Sequence, residues 1–414
     1  MLPLPVSIIV VSRDRSQFLK RCLKALSQLD HPLFEIVVVA CAEGAEVARV
    51  ADLRCGRKVI PFERANISEA RNEGIAHAAG DIIALIDDDA VPEPTWLSHL
   101  SEVFADKAVA QAGGTTLRRN GISIQHAALL VDPAGRSIAA PTTGAEPQVV
   151  RGHGDFRPRL CGTNMAFRRD VLLRHNGFDP RFAFYLEETD LTLRISKGGG
   201  KTLHVPKAIV HHATGPSRFR APDRTPRRLY EIGASSALFH AKHTAPDERD
   251  HARAALMGER RGWLLKHMQR GTLTPDDVHR LMRDLQRGYA NPIPPPRLPH
   301  FAPPPETPIV PVQPMTGEDI YLTVDSGRRR PSLCKARDLV RQGHRVTVFD
   351  FSPNARYHRV TFNDEGFWHH IGGIFGREVR TEPLFQLAGR QDRINRTLRR
   401  LAGIRSKTAL IGRS

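Results

Sequence analysis

Residues 6–89 admit few folds, because short β-branched runs alternate there with helical stripes and the last run ends in three consecutive aspartates. Val6–Ser12 (VSIIVVS) reads as a buried strand. Between Arg15 and Leu29 the residues Leu19, Cys22, Leu23, Leu26 and Leu29 share one helical face. Phe34–Ala40 (FEIVVVA) is a second strand and Lys58–Phe62 a short third. Asn66 is a good N-cap for a helix running to about Ala79, Gly80 stops that helix, and Asp81–Ile86 (DIIALI) is a fourth strand. This rhythm predicts an α/β fold with a parallel sheet and helices on both faces. Ligands of such sheets bind beyond the carboxyl ends of the strands.

Asp87-Asp88-Asp89 stand at such an end. Three adjacent carboxylates repel one another unless a cation compensates. Strand alternation puts Asp87 and Asp89 on one side and Asp88 on the other, and paired carboxylates suit Mg²⁺ or Mn²⁺. A solvated acidic turn, favoured by Pro92 and Pro94, is the competing reading. Further on, Glu187, Glu188 and Asp190 open the helical stretch EETDLTLRISK. Acidic residues in a first turn cap a helix well. A carboxylate beside a metal also serves as a general base, and the spacing leaves both readings open. His211-His212 follow a strand-like AIV, where a structural pair and an imidazole completing a Mn²⁺ shell are both compatible with the pattern. Arg71 lies in the helix before the acidic strand, placed for a salt bridge or a donor contact.

The chain has 414 residues, enough for two or three compact units. Asn291–Pro314 holds eleven prolines, including Pro294-Pro295-Pro296 and Pro303-Pro304-Pro305, a composition that bars helix and reads as a semi-rigid spacer. Before it, residues 225–290 read as helices with basic faces. After it, Asp319–Val324, Ser332–Gln342 and Arg345–Phe351 read as strand, helix, strand. The division expected is a catalytic unit over 1–220, a basic helical extension over 221–290, a Pro-rich linker over 291–315 and a small α/β unit over 316–414. The net charge of +17 is spread unevenly. Residues 1–214 hold 26 Lys+Arg against 24 Asp+Glu, residues 215–300 hold 16 against 9, and residues 316–414 hold 19 against 10. The excess points to an anionic membrane surface or to a merely solubilising face. Nucleic acid is disfavoured, since aromatics are 6% and no reading motif is present. Cys22, Cys41, Cys55, Cys161 and Cys334 have no CxxC spacing, which argues against disulfides and structural zinc and for a reducing cytoplasm. No apolar run approaches the roughly 20 residues of a membrane span. The opening MLPLPVSIIVVSRDR lacks a basic residue before its apolar run, unlike a secretory signal.

In order and spacing, VSIIVVSRDR, ISEARNEGIAHAAGDIIALIDDDAVPEPTWL, CGTNMAFRRDVL and GFDPRFAFYLEETDLTLRISKGGGKTLHVPKAIVHH resemble family 2 of the inverting glycosyltransferases, across residues 4 to about 245. The resemblance implies a GT-A, Rossmann-like, mainly parallel sheet with flanking helices, followed by the helical segment, the linker and the small α/β unit. By position it makes Asp87 and Asp89 the DxD motif for a divalent metal (Mn²⁺ or Mg²⁺) and the donor diphosphate, with His212 near the metal. Glu188 becomes the catalytic base with Glu187 beside it, and Ser12, Arg71, Asp87, Asp88 and Asn164 fall to the donor site. The implied reaction is a single in-line displacement from a nucleotide-sugar to a hydroxyl of a glycan, a cell-envelope polysaccharide or a lipid-linked saccharide. The expected location is cytoplasmic, peripheral at the inner face of the membrane.

Two departures stand out. The second strand ends Val39-Ala40-Cys41-Ala42-Glu43, without the aspartate that often reads the nucleotide base, and Glu188 stands where Asp is commoner. QxxRW is absent, which disfavours a processive synthase. A nucleotidyltransferase would want a Gly-rich basic loop, and SRDRSQFLKR has no glycine. The alternative from another class is a catalytically degenerate carbohydrate- or nucleotide-binding scaffold.

Overall fold

The computed structural model describes residues 3–297, 299, 301, 308–324, 329–379 and 381–405. Its first layer alternates as the hydrophobic pattern requires: β1 (Val6–Ser12), α1 (Ser16–Leu26), β2 (Phe34–Ala40), α2 (Ala42–Arg49), β3 (Gly56–Pro61), α3 (Ile67–His77) and β4 (Ile82–Asp87). The four strands are parallel in the order β3-β2-β1-β4, with Val6 level with both Phe34 and Ile82. The central positions of β1, β2 and β4 are apolar because both faces of these strands are covered, whereas β3 at the edge is half-exposed. Ile8, Ile36, Ala84 and Ile86 face α1, whereas Ile9, Val37, Ile83 and Leu85 face α3. Gly80 meets a steric demand, since a Cβ there would lie 2.5 Å from the Ser7 backbone nitrogen.

The sheet continues through β5 (Ala90–Pro92), α4 (Trp96–Glu102), β6 (Val109–Leu117), β7 (Asn164–Arg168), α5 (Glu187–Lys197) and β8 (Lys201–His212). Here the topology departs from an all-parallel sheet. β7 runs antiparallel between β4 and β6, while β8 lies parallel to β6. The helices α6 (Tyr230–His243), α7 (Arg249–Gln269) and α8 (Pro275–Ala290) follow, packed around Leu229, Leu264, Leu281 and Leu285. Among the described residues no helix is long and apolar enough to cross a membrane. All five cysteines are free.

Composition points to a spacer at 291–315, yet some of its described residues pack on the first layer while residues 291–297 are exposed. Phe301 packs on the core beside α3, and Val312 is buried, its N–H donating to the Pro32 carbonyl at 2.8 Å. Pro303-Pro304-Pro305 fall outside the described residues. The C-terminal unit comprises β9 (Asp319–Thr323), α9 (Arg329–Arg341), β10 (Arg345–Ser352), β11 (Arg359–Phe362), β12 (Trp368–Gly373) and α10 (Arg390–Leu401). Its sheet order is β9-β10-β12-β11, and it docks on α1 and β5. Ala25 and Val91 share one apolar cluster with Val360, Phe362 and Trp368.

Candidate active site

β4 ends at Asp87, Asp88 and Asp89 form a tight turn, and β5 runs back antiparallel to the end of β8 with Ala90 opposite His212. This turn, rather than strand alternation, parts the three carboxylates. Asp88 is fully buried and accepts from Ser12 Oγ at 2.7 Å and Arg15 Nε at 3.1 Å. Burial pushes its carboxyl up to about 7, reinforced by Asp89 and opposed by Arg15. Asp89 Oδ2 accepts from Arg15 Nη1 at 3.1 Å and from the Gly215 N–H at 2.7 Å, and its Oδ1 lies 3.2 Å from His212 Nε2. Burial alone would raise the Asp89 carboxyl, but the His212 hydrogen bond and charge, with Arg15, hold it well below the usual range. Conversely, burial would lower His212 and contact with Asp89 raises it. Asp87 is half-buried, accepts from Thr163 Oγ1 at 2.7 Å and lies 3.5 Å from Arg71 Nη2.

The ligand atoms of Asp87, Asp89 and His212 lie within 4.8 Å of one another. Two carboxylates and one imidazole fit Mn²⁺ well, and Mg²⁺ through the oxygens. His212 Nδ1 lies 3.2 Å from Gln125 Oε1, a contact that holds the ring with Nε2 aimed at Asp89.

Across the cleft, Tyr185 and Leu186 adopt φ of 75° and 65°, a left-handed conformation costly for bulky side chains. That kink starts α5 abruptly and places Glu187 and Glu188 in its first turn. Glu187 is buried, accepts from Arg71 Nη1 at 2.9 Å and is pushed up to about 7 by burial and then by Glu188, against the pull of Arg71. Glu188 accepts from Arg159 Nη2 at 2.9 Å and keeps 15% of its side chain exposed. Arg71, stacked 5.2 Å from the Phe178 ring, thus links Glu187 to Asp87. Gly162 closes the gap, because a Cβ there would sit 3.1 Å from Arg71 Nη2 and 3.6 Å from Glu188 Cγ.

The family model described as glycosyltransferase like family 2 matches residues 3–230. The chain belongs to this family. The glycosyltransferase is 28% identical over 231 residues to a glucosyl-dolichyl phosphate glucuronosyltransferase of Haloferax volcanii, covering 50% of this chain and 68% of that protein. It is 25% identical over 188 residues to an uncharacterized glycosyltransferase of Nostoc, covering 42% of this chain and 54% of the relative. Among solved structures, a mannosyltransferase from Pyrobaculum calidifontis in complex with GDP-Man and Mn²⁺ is 17% identical at a TM-score of 0.42, over 69% of this chain and 86% of that one.

The geometry of the glycosyltransferase sorts the residues that the sequence singles out. Asp87, Asp89, His212, Arg71, Glu187 and Glu188 converge on one cleft. Ser12 and Asp88 are buried beneath it, Ser12 donating to Asp88 and Asp88 holding Arg15. Asn164 belongs to the frame: it accepts from Trp96 Nε1 at 2.8 Å and donates to the Ala208 and Thr115 carbonyls at 2.9 and 3.1 Å. Three residues escaped the sequence reading, namely Gln125, Arg159 and His126. His126 neighbours Gln125 and is driven down to about 4 by burial and then by Arg159 and His212. They sit on strands of three residues, too short for a periodic signal. Arg15 was visible only as a basic residue in SRDR.

Proposed function

We propose that this glycosyltransferase moves one sugar from a nucleotide-sugar donor to an acceptor hydroxyl with inversion, with Mn²⁺ or Mg²⁺ as cofactor. The observation that carries the reading is that Asp87, Asp89 and His212 come together on one side of Arg71 and Glu187 and Glu188 on the other. A divalent ion held by Asp87, Asp89 and His212 would bind the donor diphosphate and offset negative charge on it. Glu188 takes the proton of the acceptor hydroxyl as its oxygen bonds to the anomeric carbon. The anomeric carbon–oxygen bond breaks in the same step, and the nucleoside diphosphate leaves with the electron pair. Arg159 orients Glu188, and Glu187 orients Arg71 toward the donor. In this reading Ser12 and Asp88 act on the donor through Arg15.

A lipid-linked saccharide suits the acceptor role, in keeping with the name of the Haloferax relative. Exposed Arg253, Arg261, Lys266 and Arg270 on or beside α7, with Arg280 and Arg283 on α8, would hold the enzyme to anionic lipid at the cytoplasmic face. Sedimentation with anionic liposomes at low salt tests this, and protein remaining in the supernatant removes it. The primary test is a thermal-shift panel of UDP, GDP, dTDP, CMP and their sugars, with and without Mn²⁺, on the wild type and Asp89→Ala. One nucleotide should stabilise the protein only with Mn²⁺ and only in the wild type. No shift with any nucleotide would turn the reading to a degenerate binding protein.

A further inference from the structure

Away from the cleft, buried charge gathers where the C-terminal unit meets β5. Glu93 follows β5 with 3% of its side chain exposed, and Arg405 beyond α10 has 1%. The guanidinium grips the carboxylate with two bonds, Nε to Oε2 at 2.9 Å and Nη2 to Oε1 at 2.8 Å. Glu93 Oε1 also accepts from His211 Nε2 at 2.8 Å. Trp368 lies against both partners, its ring centroid 4.2 Å from the Arg405 guanidinium and 4.9 Å from the His211 ring. His211 is therefore held by the Glu93 carboxylate at Nε2 and by the tilted Trp368 ring beside it.

We propose that the Glu93–Arg405 pair and Trp368 position the end of β8, making the C-terminal unit part of the metal centre. The proposal rests on the metal reading given above. His211 and His212 are consecutive in the strand, so their side chains point to opposite sides, and clamping one ring fixes the aim of the other. The clamp also touches the acidic turn. Glu93 stands four residues after Asp89, its N–H donates to the Ile209 carbonyl at 3.0 Å, and β5 pairs with β8 in between. Arg405 is not available to substrate, since Nη1 donates to Thr347 Oγ1 at 3.1 Å and to His370 Nε2 at 3.0 Å. It is a positioning residue. Without it, Glu93 would be a buried carboxylate facing an imidazole and an indole, and the strand end would have to rearrange. The segment that delivers Arg405 is itself anchored on α4, where the Thr95 N–H donates to the Ile404 carbonyl at 3.3 Å and His99 Nε2 to the Gly403 carbonyl at 2.6 Å.

The test is Mn²⁺ affinity, read on the full chain from the electron paramagnetic resonance signal of the free ion, beside a thermal melt. Wild type, Glu93→Gln, Arg405→Lys and His211→Phe are compared, with Asp89→Asn as the control that loses the ion. The expected result is Mn²⁺ binding weakened about tenfold in the three clamp variants at temperatures where each is folded, the lower end for disturbed support of a metal ligand. His211→Phe leaves the Glu93–Arg405 pair whole and keeps a ring against Trp368, so it decides the matter if the charge variants do not fold. Lower melting temperatures with unchanged Mn²⁺ affinity would mean that the clamp only holds the fold, and would overturn the proposal. Failure of the wild type to bind Mn²⁺ would instead remove the metal reading, and this inference with it.

Discussion

Glu187 and Glu188 are chemically identical neighbours with different surroundings. Glu187 is buried on Arg71, whereas Glu188 reaches the cleft beside Arg159. Glu188→Gln keeps the size and removes the base, so turnover should fall by roughly 10²–10⁴-fold. The thermal shift with nucleotide and Mn²⁺ should survive, and turnover within tenfold of wild type would dismiss Glu188 as the base. For Glu187 the signature is in stability. Its carboxyl rises from an ordinary 4.5 to about 7 on folding, so the folded state holds the proton more tightly than the unfolded chain. The stability tied to that proton is complete below about 4.5 and is lost as pH climbs through 7, about 3 kcal/mol in all. Urea unfolding of the ligand-free protein should show Glu187→Gln gaining on the wild type across that window. A gap that stays flat with pH would contradict the assignment. Spacing alone does not part these residues, and only the resemblance singles out Glu188; the difference in surroundings is made by the left-handed Tyr185 and Leu186 and by Arg159, which is 29 residues away.

At the scale of elements, α3 aligns the two acidic groups. Its polar side chains fasten the segment that leads into α5. Asn66 Nδ2 donates to the Pro180 carbonyl at 2.7 Å and Ser68 Oγ to the Phe182 carbonyl at 2.6 Å. Asn72 makes a closed pair with Phe178, Nδ2 to the carbonyl at 2.8 Å and Oδ1 from the N–H at 2.9 Å. Truncation by Asn72→Ala would strand two buried backbone groups, costing about 3 kcal/mol. A loss under about 1 kcal/mol in urea denaturation would indicate that water replaces the amide. Activity should fall further than the folded fraction, because Arg71 rides on the same helix. The first four strands were legible as short runs rich in β-branched and other apolar residues, and α3 from its ends, since Asn66 does cap the helix by accepting from the Glu69 N–H at 3.1 Å. The antiparallel β7 and the three-residue β5 were not. Such short pieces have no period of their own and take their direction from their neighbours. The convergence of Asp87 and Asp89 was therefore expected, while its cause, a turn closed by β5 against β8, was not.

At the scale of the molecule, proline density reads as separation while the contacts read as attachment. Arg345 joins Asp30 of the first layer, at 2.9 Å, to Asp319 of its own unit, and Gln28 donates to the Gly366 carbonyl at 2.7 Å. No local pattern announces such pairs; Glu93 and Arg405 are 312 residues apart, and each reads by itself as a surface charge. Their burial makes the junction sensitive to acid. Burial alone would raise the Glu93 carboxyl, but Arg405 and His211 outweigh it and bring it from an ordinary 4.5 down to about 2. A depressed acid means that the unfolded chain takes up protons first. The contribution of Glu93 is thus complete above about 4.5 and drains away as pH falls toward 2, about 3 kcal/mol over the whole range. Glu93→Gln has no such proton to gain. Its deficit against the wild type should be greatest near neutral pH, where Arg405 is left without its carboxylate, and should shrink steadily between pH 5 and the acid limit of folding. The measurement is the urea midpoint of both proteins at half-unit steps of pH without metal. A deficit independent of pH would show that the carboxylate is not held ionised by Arg405, and that packing around Trp368, rather than charge, binds the two parts of the molecule.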